Sequence, residues 1–385
     1  MFNNERSYGA ECFVRRGRFQ GAVVAVKVVT LGMTAAHRNE MLQEAGHEVE
    51  MLQRLHHPNI VTLFGMAVKH TSMDTKLMLV MECCACSLKD CIEDRITYPT
   101  LLPIQVVRWL LDIARGMRYL HSHAVVHRDL KPGNVLMQQG KAFSTRESEK
   151  NGLMAKHGQS MEFEDSNHLL VAKVADFGGA RFAEGTTAEN SELTMTAGVG
   201  TPAYVAPEVT AELEGEYSAN SKYGNKVDVY SFALTAWACV HRATPFSDQN
   251  VSIWVLRTQI SGGLRPTLAI PEEFLAGAGS SNGVVGGSNE GAGGSNGTGA
   301  SPSSVVLSSL EEIMVQGWNV DPKERPSFLE IEQCLDALLM AMEERERALN
   351  TALKEPAPGF RNVQLLVTMT NPMMEAERRR SAIAY

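Results

Sequence analysis

Residues His127 to Asn134 read HRDLKPGN, and residues Ala175 to Arg181 read ADFGGAR. Taken singly, each polar residue in these stretches reads as part of a surface turn, because Pro, Gly, Asp and Asn are the common turn residues. Their order along the chain says more. VAVK, ending at Lys27, lies upstream, and GTPAYVAPE, ending at Glu208, lies downstream.

In this order the four motifs resemble the signature set of eukaryotic-type protein kinases, from Ser7 to about Leu339. The resemblance implies an α+β, bilobal protein-kinase fold, with a small antiparallel β-sheet lobe carrying one helix and a larger, mainly helical lobe. It places a kinase domain over residues 1–345, divided into a first lobe to about residue 82, a hinge over about 82–86 and a second lobe over about 87–345. A C-terminal tail follows over 346–385.

The chemistry explains the residue types. Transfer of a γ-phosphoryl group requires neutralised phosphate charge and an aligned hydroxyl, so the protein must supply cations, metal ligands and positioning. By the resemblance, Lys27 meets the phosphates of ATP and Glu48, in GHEVEMLQRL, pairs with it; Glu50 is the competing partner, two residues away and on another helix face. Asn134 and Asp176 are the ligands implied for Mg2+, a hard cation that takes oxygen donors. Asp129 accepts or orients the hydroxyl proton, and Lys131 sits beside the transferred phosphate. Glu208 is expected to pair with Arg325 in DPKERPSF, Asp228 to hold the catalytic-loop backbone, and Leu52, Leu63, His127 and Phe177 to form a packed column.

The same resemblance puts adenine between the lobes. Met81 guards the back of the pocket, the backbone of Glu82 and Cys84 bonds the adenine edge, and Val14, Ala25 and Leu136 sandwich the ring. The phosphate loop is the weak point. In SYGAECFV the three glycine positions of the family fall on Ser7, Gly9 and Cys12, so only Gly9 keeps a backbone free to approach the phosphates without a Cβ in the way. Only MFNNER precedes this loop, which leaves room for a short first strand. The alternative to an active enzyme is therefore a pseudokinase scaffold with weakened nucleotide binding.

Lys131 and Thr201 resemble serine/threonine kinases, so the expected partner is a protein substrate with a Ser or Thr acceptor. HPNIV with GWNVDPKERPSF is most similar to the tyrosine-kinase-like group. Arg128 precedes the catalytic aspartate, and a phosphate placed by an upstream kinase on the 186–196 segment, which holds Thr186, Thr187, Ser191, Thr194 and Thr196, would add a dianion for that arginine to meet.

Composition agrees with this reading. The 385 residues are 44% hydrophobic and 21% charged, which suits a globular chain with a sizeable core, and the net charge of -8 argues against a nucleic-acid partner. No run is long enough to span a bilayer and no signal peptide is legible, so a cytoplasmic location is expected. Cys83 and Cys86, in MECCACSLKDC, have zinc-knuckle spacing without a second pair at a suitable distance. Their thiols read as small packing groups before a helix that starts near Ser87, with Cys84 or Cys86 as a candidate reactive thiol at the pocket mouth.

Strand-like runs occur at CFVRRG, AVVAVKVV, IVTLFGMAV and KLMLVMEC, with one helical pattern through residues 34–57. Three helical patterns follow, over 103–123, 226–241 and 327–349. The polar segment 138–168 and the Gly/Ser tract 276–304 read as disordered insertions. VQLLVTM, in the tail, has the pattern of one short strand.

Overall fold

A computed structural model describes residues 6–7, 12–31, 35–70, 75–140, 170–182, 202–209, 224–277 and 302–354. The small lobe is a five-stranded sheet in the order β1-β2-β3-β5-β4, formed by β1 (Arg6–Ser7), β2 (Cys12–Phe19), β3 (Ala22–Thr30), β4 (Leu63–His70) and β5 (Thr75–Glu82). Every pairing is antiparallel. Helix α1 (Ala35–Arg54) lies against the sheet, where Ala45 and Val49 pack with Val29, Leu77 and Leu79.

The chain crosses to the large lobe at Cys83–Ala85 and enters β6 (Cys86–Ser87) and helix α2 (Leu88–Glu93). Ser87 caps α2. Its hydroxyl accepts from Asp90 N at 3.2 Å while the Asp90 carboxylate accepts from Ser87 N at 2.7 Å. This reciprocal box satisfies two amides at the helix start, and a cap of this type stabilises by about 1 kcal/mol.

Helix α3 (Pro103–Ser122) is the spine of the large lobe; Val106, Leu110, Ile113 and Met117 are fully buried along one side. Gly116 is required on this helix, since a Cβ there would lie 2.7 Å from the Asn59 carbonyl oxygen. β7 (Val125–Val126), β8 (Val135–Gln139), β9 (Leu170–Val174) and β10 (Arg181–Phe182) carry the loops of interest; β6, β8 and β9 form one sheet and β7 pairs with β10. Helix α4 (Lys226–His241) is apolar all round and buried along almost its whole length, as a helix surrounded by others must be. α5 (Ile253–Ser261), α6 (Glu272–Gly277), α7 (Pro302–Gly317) and α8 (Phe328–Lys354) complete the lobe. Arg115 and Arg118 of α3 pair with Glu332 and Asp336 of α8. Among the described residues no helix is long and apolar enough to cross a membrane.

Several boundaries differ from the sequence expectation. The run IVTLFGMAV does not enter the sheet at Ile60. The residues flanking Ile60 instead bond β9 of the other lobe, with Val61 N donating to Val174 O and Asn59 O accepting from Val174 N, each at 2.9 Å, and β4 begins only at Leu63. Alternating apolar residues show that a segment is buried, not which sheet buries it. β8 continues to Gln139, two residues into the segment read as an insertion, because Gln138 and Gln139 pair with Val171 and Leu170. Similarly, α6 runs to Gly277 and α7 starts at Pro302, each trimming the Gly/Ser tract. Helix α8 passes residue 345 and ends at Lys354. The VQLLVTM strand expectation lies outside the described residues.

Candidate active site

Cross-strand register assembles the roof of the cleft. Val14 lies opposite Lys27, and Ala25 opposite Met81, so these four side chains share one face of the small sheet. Leu136, in β8, belongs to the opposite lobe and sits across from Ser87 of β6. Met81 is almost fully buried. Cys12 occupies the start of β2, whereas Gly9 and Thr201 lie outside the described residues.

Lys27 is clamped. Its Nζ stands 2.9 and 2.8 Å from the two Glu48 carboxylate oxygens and 3.1 Å from Asp176 Oδ1. Burial by itself would lower the lysine pKa, but the charges of Glu48 and then Asp176 outweigh it and hold the ammonium well above its usual range. Asp176 is likewise pushed up by burial and pulled further down by Lys27, so its carboxyl stays below the usual carboxylate value. Glu50, the rejected partner, is exposed and pairs with Arg54 at 3.0 Å.

HRDLKPGN folds as a loop closed by a 3-10 turn at Pro132–Asn134. Lys131 Nζ lies 2.7 Å from Asp129 Oδ2, and Asn134 Nδ2 donates to the same oxygen at 2.7 Å and to the Asp129 carbonyl at 2.8 Å. The Asn134 amide nitrogen is thereby committed to Asp129, and its carbonyl oxygen is the donor atom left for a cation. Together with the Asp176 carboxylate this gives a hard, all-oxygen donor pair. That fits a divalent cation held by few protein ligands and completed by phosphates. Among the described residues no cluster of three or more His, Cys, Asp or Glu could hold a metal by itself.

Buried scaffolding fixes both loops. Asp228, fully buried at the start of α4, accepts from His127 N at 2.9 Å and Arg128 N at 2.8 Å, and its Oδ2 lies 2.8 Å from His121 Nε2. Burial pushes this carboxyl up, while His121, His127 and the Arg128 amide more than offset it, leaving the pKa lowered. These bonds hold Arg128 in a left-handed backbone at φ 70°, a conformation that costs a non-glycine residue about 1 kcal/mol or more. His127 Nε2 meets the Ala175 carbonyl at 3.0 Å and its Nδ1 accepts from Asp129 N at 3.3 Å, which links one loop to the next. Its ring meets Phe177 edge-on at 5.2 Å; Phe177 and Leu52 share one buried cluster, and Leu63 packs against it. Arg325, wholly buried, bonds both Glu208 oxygens at 2.6 and 2.8 Å.

At the hinge, Glu82 N donates to the Thr62 carbonyl at 3.0 Å, so this amide is already engaged within the protein. Its side chain is a structural hub. Oε1 accepts from Thr62 N at 2.7 Å and meets Lys173 Nζ at 3.1 Å, and Oε2 accepts from Gln138 at 2.7 Å. Sequence reasoning missed Lys173 and Gln138; the signal was a lysine inside the apolar run LLVAKVA, where a charge must find a partner. The Cys84 thiol is pushed up to about 12, first by burial and then by the Glu82 charge, which disfavours its thiolate form.

The family model for the protein kinase domain matches residues 8–337. Serine/threonine-protein kinase VIK of Arabidopsis thaliana is 28% identical over 88% of this chain and 60% of its own length. Serine/threonine-protein kinase STY17 of the same plant is 26% identical over 89% of the chain and 44% of its own. TOS3 of Saccharomyces cerevisiae, another serine/threonine-protein kinase, is 29% identical over 59% of the chain and 37% of its own. The chain thus spans less than two thirds of the length of these relatives. The matched region runs from the sheet that carries Lys27 to the helix beyond Arg325, and the chain accordingly belongs to the protein kinase family.

Proposed function

We propose that this protein is an ATP-dependent serine/threonine kinase acting on protein substrates. The observation that carries the proposal is the joint placement of Lys27 on Glu48 and Asp176 and of Asp129 on Lys131 and Asn134. Lys27, immobilised by Glu48, offers one fixed positive charge to the nucleotide phosphates. Lys131 offers a second beside Asp129, where negative charge gathers during transfer. Asp129, oriented by Asn134, receives the proton of the attacking hydroxyl. Asn134 and Asp176 are the residues that would hold Mg2+, which when bound supplies charge neutralisation between the phosphates.

Specificity for Ser or Thr rests on Lys131, on Thr201 and on the relatives being serine/threonine-protein kinases, and membership of the tyrosine-kinase-like group rests on HPNIV and GWNVDPKERPSF. The domain is taken to extend to about residue 345, inside helix α8, whose last turns would lead into the tail. A cytoplasmic location belongs to the same proposal and rests on the lack of a legible signal peptide or spanning run and on seven cysteines, odd in number and sparse. Control by a phosphate on Thr194 or Thr196 belongs to the same proposal, and that segment lies outside the described residues.

Incubation with Mg2+ and labelled ATP should give phosphoserine or phosphothreonine in the wild type and a loss of at least about 10²-fold in Asp129→Asn, the order expected for a group that handles the proton. No incorporation in the wild type, or none lost in the variant, overturns the proposal. The single glycine of the phosphate loop favours a second reading, a scaffold that binds nucleotide poorly. Thermal shift with ATP separates the two, since a bound ligand stabilises by mass action whether or not it reacts.

A further inference from the structure

Helix α2 begins with an unusual pair. With Ser87 as its cap and Leu88 as its first residue, Cys86 stands just before the cap and Cys91 at the fourth helical position. Side chains at these two positions meet in a staple that is ordinarily made of two apolar groups. Here both members are thiols, with Cys86 Sγ 3.5 Å from Cys91 Sγ and 3.3 Å from the Tyr98 hydroxyl. Cys86 is half-buried, while Cys91 is fully buried.

The cluster is pinned from the other side. Arg242, in a left-handed backbone at φ 50° at the end of α4, donates to the carbonyls of Cys91, Ile92, Tyr98 and Pro99 at 2.6 to 3.3 Å. One guanidinium therefore fixes the end of α2 that carries Cys91 and the loop that carries Tyr98. Neither sulfur is needed for phosphoryl transfer. Even so, Cys86 and Ser87 pair with Met137 and Leu136, so the pair borders the floor of the nucleotide cleft.

We propose that Cys86 and Cys91 are a redox modification site, a preformed dithiol that a peroxide closes to an intramolecular disulfide. Cys86 is the attacking sulfur. The Cys91 thiol is held above its usual range by its hydrogen bond to Cys86 and then by burial, and the Tyr98 hydroxyl is raised by burial and then by its bond to Cys86. A thiol and a phenol that stay protonated, both within hydrogen-bond reach of the Cys86 sulfur, are the groups that would stabilise its anion in the attack.

The Cys86 thiolate attacks one oxygen of the peroxide, the O–O bond breaks, and a sulfenic acid and hydroxide result. Cys91 then attacks the Cys86 sulfur; the S–S bond forms, the S–O bond breaks, and the departing hydroxide takes the Cys91 proton as water. Two thiols and one hydrogen peroxide thus give one disulfide and two waters, with the sulfurs supplying both electrons. The sulfurs must close from 3.5 Å to about 2 Å for the bond to form.

Trypsin cuts after Lys89, between the two residues, leaving Cys86 in the peptide 77–89 and Cys91 in 90–95. The folded full-length protein is treated with hydrogen peroxide, alkylated, and digested without reductant. The expected product is these two peptides joined, two hydrogens lighter than the reduced pair, with fragmentation placing the bond on Cys86. Dithiothreitol should reverse it. The linkage should be absent from Cys91→Ser and retained when Cys83 and Cys84 are both replaced by Ser. Unlinked peptides with both thiols alkylated, Cys86 carried on to sulfinic acid without a linkage, or a bond through Cys83 or Cys84 would each overturn the proposal. The wild-type map decides this without depending on the folding of any variant.

Discussion

Lys173 Nζ lies 3.1 Å from Glu82 Oε1, and the two side chains are only 7% and 11% exposed. The pair joins the last residue of the small sheet to β9 of the large lobe. Lys173 also donates to the Pro58 carbonyl at 2.7 Å, so the lysine ties the connection after α1 to the same point.

Removing that cation leaves a buried carboxylate with only the Thr62 amide and Gln138 as partners. Lys173→Met should therefore lower stability by about 3 kcal/mol, toward the low end for breaking a buried pair because two hydrogen bonds survive. Thermal unfolding of the single variant and of the double variant with Glu82→Gln checks this. The double variant should be the more stable of the two, since it buries no unpaired charge.

Arg325 offers a different case, because geometry rather than charge alone is at stake. Its guanidinium takes both Glu208 oxygens while also donating to the Asn319 and Lys226 carbonyls. A lysine keeps the charge but cannot reproduce four directed bonds from one planar fork. Arg325→Lys should cost about 3 kcal/mol in denaturant unfolding, and a loss under about 0.5 kcal/mol would show that the charge alone suffices.

Asp228→Asn keeps the shape but turns one acceptor into an amide facing a backbone N–H. The strained Arg128 backbone should relax, moving Asp129. We expect kcat to fall about 10²-fold, the penalty of a small misplacement of a reacting group, with a much smaller change in nucleotide affinity because Lys27 and Met81, on the other lobe, keep their places. Parallel measurement of turnover and of the ATP-induced thermal shift tests both halves.

Asp112 makes stability depend on pH. Burial pushes its carboxyl up to about 6, against the Ala172 amide, Asn59, Arg115 and Lys173. The folded chain then keeps a proton that the unfolded chain has lost, so this group's contribution is full below about pH 4 and declines as pH rises through about 6. Asp112→Asn carries no such titration. Relative to that variant, the wild type should lose stability between pH 4 and 7; a pH-independent difference in melting temperature would contradict the assignment.

Much of the site could be read from residue types in order. VAVK, HRDLKPGN and ADFGGAR marked Lys27, Asp129, Asn134 and Asp176 as candidates, and the family resemblance implied Glu48 as the partner of Lys27; helix phase added only that Glu50, two residues on, lies on another face, where it pairs with Arg54. The Glu82 network was not legible. Its members come from residues 58, 62, 82, 138 and 173, and nothing local marks them as partners.

Local signals fixed what is local: the apolar period of α3, the cap at Ser87, and the spacing of acids and amides in the two loops. These depend on interactions within a few residues, which a sequence displays directly. Tertiary structure decided that Ile60 and Val61 serve β9 rather than the small sheet, that Arg128 is held at positive φ by Asp228 a hundred residues away, and that Cys86 faces Cys91 with Arg242 behind. Each of these is a choice among partners that are chemically equivalent along the chain. Only the packing of one element against another makes one of them near.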